Sequence, residues 1–142
     1  MNKKTILLIE DDELDVISVE RTLKKLDTEY NLHIAHNGKE ALGMLTRSED
    51  PILPDVILLD LNMPGMMGLQ VLKELKANKT WKPIPVIVLT TSTLEKDRES
   101  SYEMGASCFL RKPVAFDELA LMTSSIVNLW FNDKKIHQKA DL

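Results

Sequence analysis

Cysteine is nearly absent: Cys108 is the only one in 142 residues, which excludes an internal disulfide and fits a reducing compartment. It stands in an apolar run beside Phe109 and Leu110 and is expected to be a buried small hydrophobe. No basic cluster occurs and the net charge is -4, so a nucleic-acid binder is not expected. Nor is there a long hydrophobic run at the start. Met1-Asn2-Lys3-Lys4 leads into a short apolar stretch that meets Glu10, too brief for a signal peptide or a membrane span. A cytoplasmic protein without membrane or nucleic-acid partners is therefore expected. A glycine-rich dinucleotide fingerprint, an internal repeat and a low-complexity linker are also missing. By length the chain, residues 1–142, is one domain, and 44% hydrophobic with 28% charged residues is ordinary for a globular protein.

What the sequence does contain is a series of short apolar runs, each followed by a helical pattern. Thr5 to Ile9 stops at Glu10-Asp11-Asp12, and the helix after it carries Val16, Val19, Leu23 and Leu26 on one stripe. Leu32 to Ala35 closes at the turn signal Asn37-Gly38, before a short helix with Ala41, Leu42 and Leu45. Ser48 to Asp55 reads as loop. Val56 to Leu59 is apolar throughout, as a strand buried on both faces should be, and ends at Asp60. Pro64-Gly65 cannot continue it, and a helix follows from about Gly68 to Ala77. Pro83 and Pro85 precede the strand Val86 to Leu89, which ends in Thr90-Thr91-Ser92. The helix from Leu94 to Met104 offers few large apolar residues, and Gly105 caps its end. Ser107 to Arg111 is the last strand. Lys112-Pro113 then opens a helix with Phe116, Leu119, Ile126, Val127 and Trp130, and 132–142 is a polar C-terminal tail. Alternating strands and helices predict an α/β protein with a doubly wound five-stranded parallel sheet, order 2-1-3-4-5, with helices on both faces.

In that order the first and third strands are neighbours, and Glu10, Asp11 and Asp60 converge at the switch point where such sheets bind ligands. Carboxylates that close need a cation, and an all-oxygen set completed by the Asn62 carbonyl suits Mg²⁺. Thr90 and Lys112 at the next two strand ends form a hydroxyl-and-ammonium pattern suited to a phosphoryl group. Each feature has a plainer reading. Glu10-Asp11-Asp12 could cap the first helix, Thr90 could be a helix N-cap, and Lys112 could be a solvated lysine.

In this order and spacing, Glu10-Asp11, Asp60 to Gly65, Thr90, Gly105-Ala106-Ser107 and Lys112-Pro113 resemble the receiver domain of two-component response regulators. The resemblance covers roughly 5–130 and implies a flavodoxin-like fold. It further implies that Asp60 accepts a phosphoryl group from a sensor histidine kinase with Mg²⁺, and that the signal passes on by a conformational switch. Asp11 would bind the metal directly, Glu10 partly through water, and Asn62 through its carbonyl. Thr90 would hydrogen-bond the acyl phosphate, Lys112 would contact a phosphate oxygen, and Phe109 would be the aromatic switch partner of Thr90. An ordinary core phenylalanine is the plainer reading of Phe109. In this family the Lys112-Pro113 bond is often cis, which is the expectation here.

Some residues depart from the family pattern. Thr91 stands where many receivers carry a smaller residue, narrowing access to Asp60, and Met67 stands where many carry aspartate. Asn62 and Ser92 hold the positions that tune hydrolysis. With no output domain following, a stand-alone bacterial receiver is expected. Thr90-Thr91-Ser92 and Leu129-Trp130-Phe131 make it look like the short regulators paired with phytochrome-type kinases. By that likeness it would dimerise through its fourth and fifth elements and last helix, with Phe131 as an exposed anchor, a simple packed terminus being the plainer reading, and would pass its signal to a further protein. The alternative is a non-phosphorylated pseudo-receiver that only makes protein contacts. A haloacid-dehalogenase-type phosphatase would need a general acid at Asn62, and asparagine cannot donate the proton. Flavin binding is opposed by the acidic run after the first strand. The chain is thus expected not to be an enzyme beyond catalysing its own phosphorylation and dephosphorylation.

Overall fold

The computed structural model describes residues 3–26, 28–63 and 67–132. The Pro64-Gly65 turn and residues 133–142 of the tail lie outside the described residues. Strands and helices alternate: β1 (Lys4–Ile9), α1 (Glu13–Lys25), β2 (Tyr30–Ala35), α2 (Gly38–Thr46), β3 (Val56–Leu59) and α3 (Gly68–Ala77). They continue with β4 (Val86–Thr90), α4 (Glu95–Glu103), β5 (Cys108–Arg111) and α5 (Phe116–Asn132). All pairings are parallel and the order is β2-β1-β3-β4-β5, as the alternating pattern predicts.

The continuous apolar runs follow from burial on both faces. Along β1 and β3, Leu7, Ile9, Ile57 and Leu59 join one hydrophobic cluster while Ile6, Leu8, Val56 and Leu58 join the other. The first cluster takes Ala41 and Leu45 from α2 and Val71, Leu72 and Leu75 from α3. The second takes Val16, Val19 and Leu23 from α1 and Ile126, Val127 and Trp130 from α5. Cys108 is buried among them, as its apolar neighbours predicted. Side chains on successive strand residues alternate between faces, so a strand between two helix layers must be apolar at every position.

Several local expectations change. Asn37 lies between β2 and α2 as the turn signal predicted, and it has a further use: its side chain accepts from the Glu40 N–H at 2.8 Å and caps α2. Phe116 sits in the first turn of α5 and is exposed, so it adds nothing to the stripe. Phe131 is not an exposed anchor: it is partly buried and stacks on Tyr30, with ring centroids 5.5 Å apart. Gly105 has φ 103, the left-handed conformation its helix-ending place predicted. α4 buries a single residue, Ser101, so its weak apolar stripe is real. Among the described residues no helix is long and apolar enough to cross a membrane.

Candidate functional site

Sheet register builds the site. Ile9 pairs with Leu59, so the residues after them, Glu10 and Asp60, leave the sheet side by side. Their backbones are held there: the Asp60 N–H donates to Ile9 O at 3.0 Å and the Glu10 N–H to Ala35 O at 2.9 Å. On the other side, the Lys112 N–H donates to Thr90 O at 2.7 Å, which fixes the ends of β4 and β5 together. Glu10, Asp60, Thr90 and Lys112 therefore lie together at the carboxyl-terminal ends of the strands, while Phe109 lies within β5, paired with Val88.

The acidic run divides its labour. Asp12 is the N-cap of α1, its carboxylate accepting from the Leu14 and Asp15 N–H groups at 2.9 and 3.2 Å. Glu10 and Asp11 are not used that way. Glu10, Asp11 and Asp60 each bring one carboxylate oxygen within 4.8 Å of the others, which is a geometry for a shared cation. Glu10 and Asp60 are buried and Asp11 is exposed, so the cluster opens to solvent on the Asp11 side. Hard oxygen donors of this kind suit a small divalent cation.

Lys112 is not a solvated lysine. It is buried, and its Nζ lies 2.6 Å from Glu10 Oε1, 2.8 Å from Asp15 Oδ2 and 3.7 Å from Asp60 Oδ2. Burial alone would lower its pKa, but hydrogen bonds to Asp15 and Glu10 and the charges of Glu10 and Asp60 outweigh it and hold the ammonium charged. Burial acts the other way on Glu10, pushing its carboxyl up to about 8; Asp60 adds to the rise and Lys112 offsets part of it. Glu10, Asp15 and Asp60 lie within 4 Å of the one ammonium, Asp11 adds a fourth carboxyl beside Glu10 and Asp60, and a cation among them would favour the ionised form of Glu10.

Thr90 is fully buried and ends β4; α4 begins at Glu95 with Leu94 at the cap position, so Thr90 is not an N-cap. Its hydroxyl accepts from Asn62 Nδ2 at 3.1 Å and from the Ser92 N–H at 3.2 Å. The Asn62 amide also lies 3.5 Å from Thr91 Oγ1. Ser92 carries the connection onward, donating to Asp97 Oδ2 at 2.5 Å in the first turn of α4. Phe109 is buried, and its N–H donates to the Tyr102 hydroxyl of α4 at 3.1 Å. Beside it a cavity of about 270 Å³ is lined by Ser92, Leu94, Arg98 and Arg111.

Three features escaped the sequence. Asp15 shares Lys112 although 97 residues separate them. Gly68 lets the start of α3 press on the loop: a Cβ there would lie 2.4 Å from Leu61 Cα and 2.7 Å from Asp60 O. The third is a correction. Every described peptide bond is trans, so Lys112-Pro113 is not cis. The isomers of such a bond differ by only about 0.5–1 kcal/mol, and with the bond trans Lys112 already reaches Glu10 and Asp15.

A model of the response regulator receiver domain matches residues 6–124. Response regulator Rcp1 of Synechocystis sp. is 39% identical over 130 residues, which span 89% of this chain and 88% of that protein. The solved phosphorylated cyanobacterial phytochrome response regulator RcpA aligns with a TM-score of 0.88 at 33% identity, covering 92% of this chain and 96% of that one. For the Mn²⁺-bound form of Rcp1 the TM-score is 0.85 at 38% identity, with 92% and 96% covered. With its fold and strand-end cleft, the chain belongs to the response regulator receiver domain family, whose general function is switching by phosphorylation.

Proposed function

We propose that Asp60 is the phosphoacceptor and that the donor is a phosphohistidine of a sensor kinase. The observation that carries this reading is the buried Asp60 carboxylate, flanked by Glu10 and Asp11 on one side and by the Lys112 ammonium at 3.7 Å on the other. In the reaction the phosphorus–nitrogen bond of the donor breaks as an Asp60 oxygen bonds to phosphorus, and the electron pair returns to the imidazole. Glu10, Asp11, Asp60 and the Asn62 carbonyl would hold Mg²⁺, which when bound neutralises charge on the phosphoryl oxygens. Lys112 adds a second positive charge from the opposite side, and Thr90 gives its hydroxyl to a phosphoryl oxygen. The same residues serve the return reaction with water, so the chain acts catalytically on itself alone.

For the signal to leave the site, Thr90 must exchange its Asn62 partner for the phosphoryl group, and the Phe109 ring turns into the space the hydroxyl vacates. β4, α4 and β5 then form the signalling face. The kinase is of phytochrome type; the support is the resemblance to Rcp1 and to the phytochrome response regulator RcpA. The protein acts in the cytoplasm as a single receiver domain, with its core over about 5–130, on a further protein downstream. A homodimer through α4, β5 and α5 is supported by a mainly apolar groove that Leu110, Pro113, Leu121, Met122, Ile126 and Leu129 line. A molar mass by light scattering that stays monomeric at every concentration, with and without beryllofluoride, would exclude the dimer.

Calorimetric titration with beryllofluoride and Mg²⁺ tests the proposal itself. Saturable binding that Asp60→Asn abolishes is expected. No binding to the wild type would leave a pseudo-receiver that works by contact alone.

A further inference from the structure

Lysine carries three N–H donors on a flexible stem and needs partners to hold it in one place. In this site two of them are taken, by Glu10 at 2.6 Å and by Asp15 at 2.8 Å, while Asp60 lies beyond hydrogen-bond reach at 3.7 Å. The third donor is thus left for a group built on Asp60. Glu10, however, belongs to the carboxylate cluster that would hold a cation, and a cation draws its charge away from Lys112. Asp15 has no such second duty. It stands in the first turn of α1, outside that cluster, with its side chain 24% exposed and its carboxylate on the ammonium.

We infer that Asp15 is a positioning residue for phosphoryl transfer. It anchors the Lys112 ammonium when Glu10 turns to the cation, and so keeps the free donor directed at the phosphoryl group. The inference rests on the proposed roles of Asp60 and Lys112. The helix explains why an acid can serve here: at the third helical position an acidic side chain is also favoured by the helix dipole. α1 itself is fixed by the Asp12 cap and by Val16, Val19 and Leu23 in the core, so the anchor is rigid.

The test uses the full chain with Mg²⁺ and beryllofluoride. Loss of a charge-assisted hydrogen bond that is partly open to water is expected to weaken binding of the analogue to Asp15→Ala by roughly fivefold to twentyfold. Asp15→Glu or Asp15→Asn, which keep an acceptor, should recover part of that loss. The Lys112 ammonium should give a resolved nitrogen–proton correlation in the wild type that is lost in Asp15→Ala, since only a held ammonium escapes fast exchange. Thermal unfolding of each variant separates this from misfolding. Wild-type binding with an undiminished Asp15→Ala variant would overturn the inference while leaving Asp60 intact as the acceptor. Tighter analogue binding by Asp15→Ala would also overturn it, because Asp15 would then be competing for the lysine. No binding even by the wild type would instead remove the phosphoacceptor reading on which it rests.

Discussion

Asn62 holds Thr90: the amide nitrogen donates to the threonine hydroxyl at 3.1 Å, across the gap between the loop after β3 and the end of β4. The contact ties the hydroxyl that would serve a phosphoryl group to the loop that would receive it. If Thr90 serves the phosphoryl group as proposed, the hydroxyl has to leave Asn62 in the phosphorylated state. An intramolecular hydrogen bond contributes about 0.5–1.5 kcal/mol net, so its removal should favour the switched state by that amount. Asn62→Ala keeps the backbone carbonyl and is expected to bind beryllofluoride roughly threefold to tenfold more tightly, measured by calorimetry. Unchanged or weaker binding would show that Asn62 does not restrain Thr90.

Gly68 is required by close approach. A side-chain carbon at this position would stand 2.4 Å from Leu61 Cα, and its neighbours there are backbone atoms that cannot turn aside. Gly68→Ala should destabilise the fold by about 1–3 kcal/mol, as overpacking does, in urea unfolding. Because the displaced atoms follow Asp60 directly, affinity for Mg²⁺ should fall as well. A variant with wild-type stability would mean that the loop can shift freely.

Glu10 makes stability depend on pH. Its carboxyl is raised by burial from the usual 4.5 to about 8 in the folded, cation-free protein. Between those values the folded state holds a proton that the unfolded chain has released, so stability is full below 4.5 and falls as pH rises through about 8. Divalent cations bind the ionised form, and their stabilising effect should grow over the same window. Thermal unfolding with and without Mg²⁺ is expected to show a larger gain near pH 8 than near pH 5, and Glu10→Gln should flatten the cation-free profile. An equal gain at both pH values would place the effect elsewhere.

The division between what the sequence disclosed and what it hid is physical. Val56 to Leu59 announced a strand buried on both faces because every position must be apolar there, and it supplied both hydrophobic clusters. Asp60, Glu10, Thr90 and Lys112 were legible because strand ends in a parallel sheet converge at one edge, so position along the chain predicts position in space. Asp15 was not legible. An acid in the first turn of a helix already has a local reason to be there, and its partner lies 97 residues away. Phe131 stayed open between anchor and packed terminus for a related reason: it falls off the helical stripe, but its ring finds Tyr30 at the start of β2, a contact that periodicity within α5 does not encode.

The role of Asp60 is tested most directly by intact-protein mass after incubation with Mg²⁺ and acetyl phosphate. If Asp60 accepts the phosphoryl group, the wild type gains the mass of one phosphoryl unit, chelation of Mg²⁺ prevents the gain, and Asp60→Asn shows none. An unmodified wild type, or an equal gain in Asp60→Asn, would contradict it.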